Sequence, residues 1–98
     1  MYSYLFLLLV LSKSEFEIDG FTYNIYNSEN KTNTVQIVNC SITSESLIRI
    51  PPIVNYQSND YEVISISSNA FSSSNISQFE YIYFPYTLIE IESGTFSN

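Results

Sequence analysis

Histidine and tryptophan are absent from the 98 residues, cysteine occurs once, glycine twice, and only Lys13, Lys31 and Arg49 carry positive charge. Each shortage removes a class of chemistry. Without histidine no Ser-His-Asp arrangement can form within the chain. No histidine and one cysteine leave no zinc constellation of the usual kind. Gly20 and Gly94 alone cannot make a glycine-rich phosphate loop. Cys40 has no intramolecular partner for a disulfide. In a secreted chain an odd thiol raises intermolecular pairing; the blander reading is a small apolar residue beside a strand. Ten acids against three bases give a net charge of −7, so the chain has no basic footprint for nucleic acid or anionic lipid. The longest apolar run, Tyr4 to Leu11, would cover about 12 Å as a helix, against about 30 Å of bilayer hydrocarbon. No membrane span is expected in this chain, nor a cofactor, a metal or an enzyme. Glu90 and Glu92 are the nearest approach to a catalytic pair. Two apart on a strand, their carboxylates would stand about 6–7 Å apart, within the range of paired glycosidase acids. A solvated strand face is the plainer account of them.

What remains is a chain of Ile, Tyr, Ser and Asn, with nine Tyr and seven Phe. β-Branched and aromatic side chains suit a pleated surface, and no long segment shows an apolar stripe at helical spacing. The fold class is mainly β. Residues 1–14 read as a secretory signal: the apolar run is followed by Ser12 and Ser14 at the −3 and −1 places of a cut. Lys and Arg are missing before the run, and the alternative is a buried first strand. A cut there also removes Lys13 and leaves a mature charge of −8. Residues 15–46 read as an N-terminal β-hairpin cap, a pair of strands. Phe16 and Ile18, then Phe21, Tyr23 and Ile25, alternate with polar residues around the turn signal Asp19-Gly20. After a polar loop, Thr34 to Val38 resumes the β pattern. Three Asn-x-Ser/Thr sequons begin at Asn30, Asn39 and Asn75, with Asn30 and Asn75 in predicted loops.

Residues 47–98 carry a repeat. Val63-Ile64-Ser65-Ile66-Ser67-Ser68-Asn69-Ala70-Phe71-Ser72 recurs twenty-five residues on as Leu88-Ile89-Glu90-Ile91-Glu92-Ser93-Gly94-Thr95-Phe96-Ser97. Ahead of each copy, Ile48-Arg49-Ile50-Pro51 matches Ile82-Tyr83-Phe84-Pro85. A period of this length signals a solenoid in which each unit hides its apolar face against the next. Eleven residues separate Pro51 from Val63, against two between Pro85 and Leu88. The first unit therefore carries an insertion, expected to be a hairpin with the four-residue loop Gln57-Ser58-Asn59-Asp60. It is either a ligand contact or a decoration. Ser67 to Ser74 is expected to form one tight turn that drops Phe71 into the stack between units. The chain ends halfway through a unit, so further repeats are expected in the full-length product.

This order of residues resembles the BspA-like branch of the leucine-rich-repeat family: a short strand ending in Ile-Pro, a second apolar pair, and a small-residue-Phe turn, here Ala70-Phe71 and, less closely, Thr95-Phe96. The resemblance covers about half the chain. It implies a short, mainly β leucine-rich-repeat-like solenoid, incomplete at its C-terminus, with the preceding strands covering the first repeat. It also implies a secreted or cell-surface protein that recognises or adheres to a protein or cell-surface ligand. In the repeat family Ile48 and Ile50 point inward, which turns Leu47 and Arg49 outward. The same parity places Ile82 and Phe84 inside and Phe79, Tyr81 and Tyr83 outside. Tyr is a favoured interface residue because it joins a rigid apolar surface to a polar tip. Tyr81, Tyr83, Phe79 and Arg49 are the candidate binding residues. The alternatives are that these aromatics pack under the inserted hairpin or another repeat, and that the chain is a non-binding cap and spacer.

Overall fold

The computed structural model describes residues 15–28, 30–72 and 78–96. Among these residues eight strands follow one another: β1 (Glu15–Ile18), β2 (Phe21–Ile25), β3 (Thr34–Cys40), β4 (Leu47–Arg49), β5 (Ile53–Tyr56), β6 (Asn59–Ile66), β7 (Tyr81–Tyr83) and β8 (Glu90–Ile91). The signal-like segment 1–14 and the sequon at Asn75 lie outside the described residues.

β1, β2 and β3 form an antiparallel meander. Asp19 and Gly20 join its first two strands with φ of 52° and 90°. A two-residue connection needs this left-handed pair so that its twist matches that of the strands. Gly20 is required for a second reason: a Cβ there would stand 2.7 Å from Ile42 Cγ1. The segment read as a hairpin cap thus has three strands rather than a pair, because β3 pairs with β2 as well. β3 runs parallel to β6, pairing Gln36 with Ser65 and Ile37 with Ile66. β6 in turn runs parallel to β8, pairing Ser65 with Glu90 and Ile66 with Ile91. The cap's last strand is therefore a rung of the same ladder as the repeats.

The twenty-five-residue recurrence is this ladder seen in sequence. Ile66 and Ile91, matched by the repeat, are β-partners, and the Ile89 amide donates to the Ile64 carbonyl at 2.8 Å. A second ladder follows the other recurrence. β4 and β7 pair in parallel, Leu47 with Tyr81, Ile48 with Ile82 and Arg49 with Tyr83. Ile48 and Ile50 are buried and Leu47 and Arg49 exposed, as alternation along a strand requires.

Between the ladders sits the core, with Tyr23, Val35, Ile37, Val63, Ile66 and Phe71 wholly enclosed. Phe71, 1% exposed, meets the ring of Phe96 at 5.0 Å between centroids, the repeated phenylalanines stacking unit on unit. The turn that delivers Phe71 is closed by bonds from the Ala70 amide to the Ser67 carbonyl and from the Ser72 amide to the Asn69 carbonyl. Polar residues form their own column. Gln36 Nε2 donates to Ser65 Oγ at 2.9 Å, and Ser65 Oγ donates to Glu90 Oε1 at 3.2 Å.

The inserted hairpin differs from the sequence reading. Its loop has two residues rather than four, because Asn59 and Asp60 pair with Tyr56 and Asn55. Gln57 and Ser58 take φ of 52° and 68°, the left-handed pair again, here without a glycine. The hairpin does not project. β5 extends the main sheet, in the order β1-β2-β3-β6-β5, and Tyr56 lies flat on Phe16 with ring centroids 4.0 Å apart and planes 4° apart. Two aromatic residues flanking β7 also depart from strict alternation. Phe79 precedes β7, is partly buried, and meets Phe71 edge-on at 6.2 Å; outside the strand, parity no longer governs it. Phe84, expected inside, follows β7 and is 46% exposed, with its ring edge-on to Phe96 at 6.0 Å between centroids.

Candidate functional site

Strand alternation and parallel pairing bring three of the four candidate binding residues together. Register places Arg49 opposite Tyr83 and Leu47 opposite Tyr81 on the outer face of the β4–β7 sheet. Tyr81 is 60% and Tyr83 46% exposed, and their rings stack with centroids 6.4 Å apart and planes at 22°. The Arg49 guanidinium lies 4.7 Å from the centre of the Tyr83 ring. A cation over an aromatic face at this distance is attracted by the ring quadrupole, which holds the long arginine side chain against the tyrosine. The inserted hairpin leaves both tyrosines uncovered. Phe79 is the member the structure turns away, into the contact with Phe71.

The same face borders an open groove of about 890 Å³. Its lining is mostly apolar and includes Phe21, Tyr23, Ile50 and Val54, together with Leu47, Arg49 and Tyr83 and the acids Asp19 and Glu45. Tyr86, 84% exposed, completes the rim beside Phe84. Sequence reasoning missed the groove because its walls come from the cap, the insertion and both repeats. No linear spacing encodes that juxtaposition. Repeat parity was the one signal in the sequence, and it found Leu47, Arg49 and Tyr83.

One buried group at this site is anomalous. Tyr23 is fully enclosed, yet its hydroxyl has no hydrogen-bond partner among the described residues. Burial foremost, then the charges of Asp19 and Cys40, pushes its phenol well above the ordinary value of 10. It is held protonated, as a donor.

Glu90 and Glu92 face the polar column rather than a pocket. Glu90 Oε1 accepts from Ser65 Oγ and, at 3.3 Å, from the Tyr26 hydroxyl. Glu92 accepts from the Ser68 amide at 3.0 Å and from Gln36 Nε2 at 3.3 Å. Glu90 is the main cause of an upward shift of the Tyr26 phenol. These contacts give both acids a structural task, tying successive rungs together. No cluster of acids, cysteine or histidine fit to hold a metal occurs among the described residues. Among them, too, no helix is long and apolar enough to cross a membrane.

Of the sequon asparagines, Asn30 is exposed in the loop before β3, while Asn39 is half-buried within β3. Cys40 is buried at the end of β3 and stands in no disulfide; its amide donates to the Ala70 carbonyl at 2.6 Å.

No protein-family model and no curated protein matches the chain. Solved structures do. A leucine-rich cell surface protein from Faecalibacterium prausnitzii superposes with a TM-score of 0.59 at 22% identity, over 84% of this chain. A leucine-rich repeat protein from Bacteroides capillosus superposes with a TM-score of 0.56 at 12% identity, over 83% of this chain and 89% of its own. The chain spans only 20% of the Faecalibacterium protein. At these identities the likeness establishes fold alone, and that fold is a short, mainly β leucine-rich-repeat structure.

Proposed function

We propose that this chain is the N-terminal recognition module of a secreted or cell-surface leucine-rich-repeat protein of the BspA-like branch. On this reading residues 1–14 direct secretion, residues 15–46 cap the array, and further repeats follow residue 98. The module binds a protein or cell-surface ligand through the outer face of β4 and β7, with Tyr81, Tyr83 and Arg49 as its contacts. The carrying observation is that both tyrosines are left exposed and stacked side by side on one strand, with Tyr83 under a guanidinium. Exposed aromatics beside arginine are the composition from which interface hot spots are built. The leucine-rich cell surface protein among the structural neighbours supports the surface assignment.

The test is binding of wild type and of Tyr81→Ala/Tyr83→Ala to parallel arrays of immobilised extracellular proteins and of glycans. The expected result is protein binding by wild type, reduced at least tenfold in the double variant. Equal binding by the two would place the contact elsewhere. Failure of wild type to bind either array would overturn recognition in favour of a non-binding cap and spacer. The exposed apolar residues Ile89 and Ile91 fit both readings, since a following repeat would cover them in either.

A further inference from the structure

Among the described residues β4 has one partner, β7, so one of its two backbone edges is unpaired among them. The hydrogen bonds at its two ends identify which groups lie there. The Ser46 carbonyl accepts from the Tyr81 amide at 3.2 Å, and the Ile50 amide donates to the Tyr83 carbonyl at 3.1 Å. In a parallel pair the residues directed at the partner alternate, so positions 46, 48 and 50 turn their groups to β7. The amides and carbonyls of Leu47 and Arg49 turn the other way. Both residues line the groove.

An exposed row of unpaired strand groups is a template for another strand. Here it stands beside a groove lined largely by apolar residues, among them Ile18, Ile42, Ile50, Ile53 and Val54. The groove also carries two acids against one base. Asp19 and Glu45 line it as exposed carboxylates, and its single base, Arg49, is drawn over the Tyr83 ring. The whole chain carries −7. We infer that this groove binds an extended peptide segment that alternates basic and apolar residues and adds itself as a strand to the Leu47–Arg49 edge of β4. Main-chain bonds to Leu47 and Arg49 hold it, its apolar side chains enter the groove, and its lysines or arginines meet Asp19 and Glu45. This identifies the class of partner for the recognition face, and it rests on the reading that this face binds protein.

The probe is a synthetic nonapeptide alternating lysine and valine, titrated into the 98-residue chain. Affinity is read by fluorescence anisotropy and contact by the amide resonances of Leu47 and Arg49. Binding is expected to shift both resonances and slow their hydrogen exchange. It should weaken severalfold between about 50 and 200 mM salt, because exposed charge pairs are screened. The same peptide with alternate nitrogens methylated, or with glutamate for lysine, is expected to bind at least tenfold more weakly. Leu47→Pro removes one edge donor without touching a bond to β7, and should also cost tenfold or more. Leu47→Ala, which keeps the amide, should cost threefold or less. Equal binding of the methylated peptide, equal binding by Leu47→Pro, or no binding at millimolar peptide would each overturn strand addition. So would protection of the same amides by a second copy of the chain, seen as a dimer in sedimentation. Tyr81 lies on the recognition face but outside the groove, so Tyr81→Ala separates the two proposals. Array binding that is sensitive to Tyr81→Ala, with no nonapeptide binding, leaves the face standing and removes the groove.

Discussion

Tyr23 concentrates the tension between stability and function in a single side chain. Its ring is core, lying 5.5 Å from Phe16 and 6.2 Å from Phe21 between centroids, but its hydroxyl is buried without a partner among the described residues. An unsatisfied buried donor costs about 1–3 kcal/mol, so Tyr23→Phe is expected to raise stability by about 1 kcal/mol in chemical denaturation. A pH dependence goes with it. The folded phenol titrates above its unfolded value of 10, so the stability from keeping it protonated is complete below pH 10 and drains away as pH climbs toward the folded value. The measurement is a difference between Tyr23→Phe and wild type. The advantage of Tyr23→Phe over wild type should widen above pH 10. A constant gap would mean that the phenol is not held protonated by the fold. Sequence alone marked Tyr23 only as an apolar position in an alternating strand, because a hydroxyl's lack of partners depends on neighbours from other elements.

Among the elements, the turns divide what could be read from what could not. Asp19-Gly20 announced a left-handed two-residue turn because glycine adopts positive φ without steric cost. Gln57-Ser58 adopts the same geometry with residues that gave no such signal, which is why a longer loop was the natural expectation there. The pairing of Asn55 and Tyr56 with Asp60 and Asn59 overrides the local preference, helped by a bond of 2.9 Å from Asn55 Nδ2 to Asp60 Oδ1 and by the stacking of Tyr56 on Phe16. Left-handed geometry costs an ordinary residue about 1–2 kcal/mol. Replacing Gln57-Ser58 by Asn-Gly should relieve part of that cost and stabilise the protein by about 1 kcal/mol, a gain of several degrees in melting temperature for a chain of this size. A lower melting temperature would show that the native side chains make contacts that outweigh the strain.

For the whole molecule, what was legible in sequence is the pair of parallel ladders. The match of Ile66 to Ile91 and of Ile48 to Ile82 is a backbone pairing in three dimensions, since a solenoid writes its register directly into its period. The part played by β3 was not legible. Gln36 and Ile37 share no motif with the repeats, yet they take the place of a rung. The same holds for the groove, which exists only once cap, insertion and repeats are folded together. The resulting division of labour is sharp: phenylalanines on the turns hold units together, while tyrosines on β7 are left to the surface.

That division is the central claim, and thermal melting of two variants beside wild type tests it. Phe71→Ala removes an enclosed ring and leaves a cavity, a loss of about 3–5 kcal/mol that approaches the whole stability of a small domain. It is expected to leave the chain largely unfolded at room temperature. Tyr81→Ala/Tyr83→Ala removes exposed rings and is expected to melt within a few degrees of wild type. A Phe71→Ala variant melting like wild type would contradict the proposed stack. A double tyrosine variant as unstable as Phe71→Ala would make the aromatic row part of the core rather than a face for recognition.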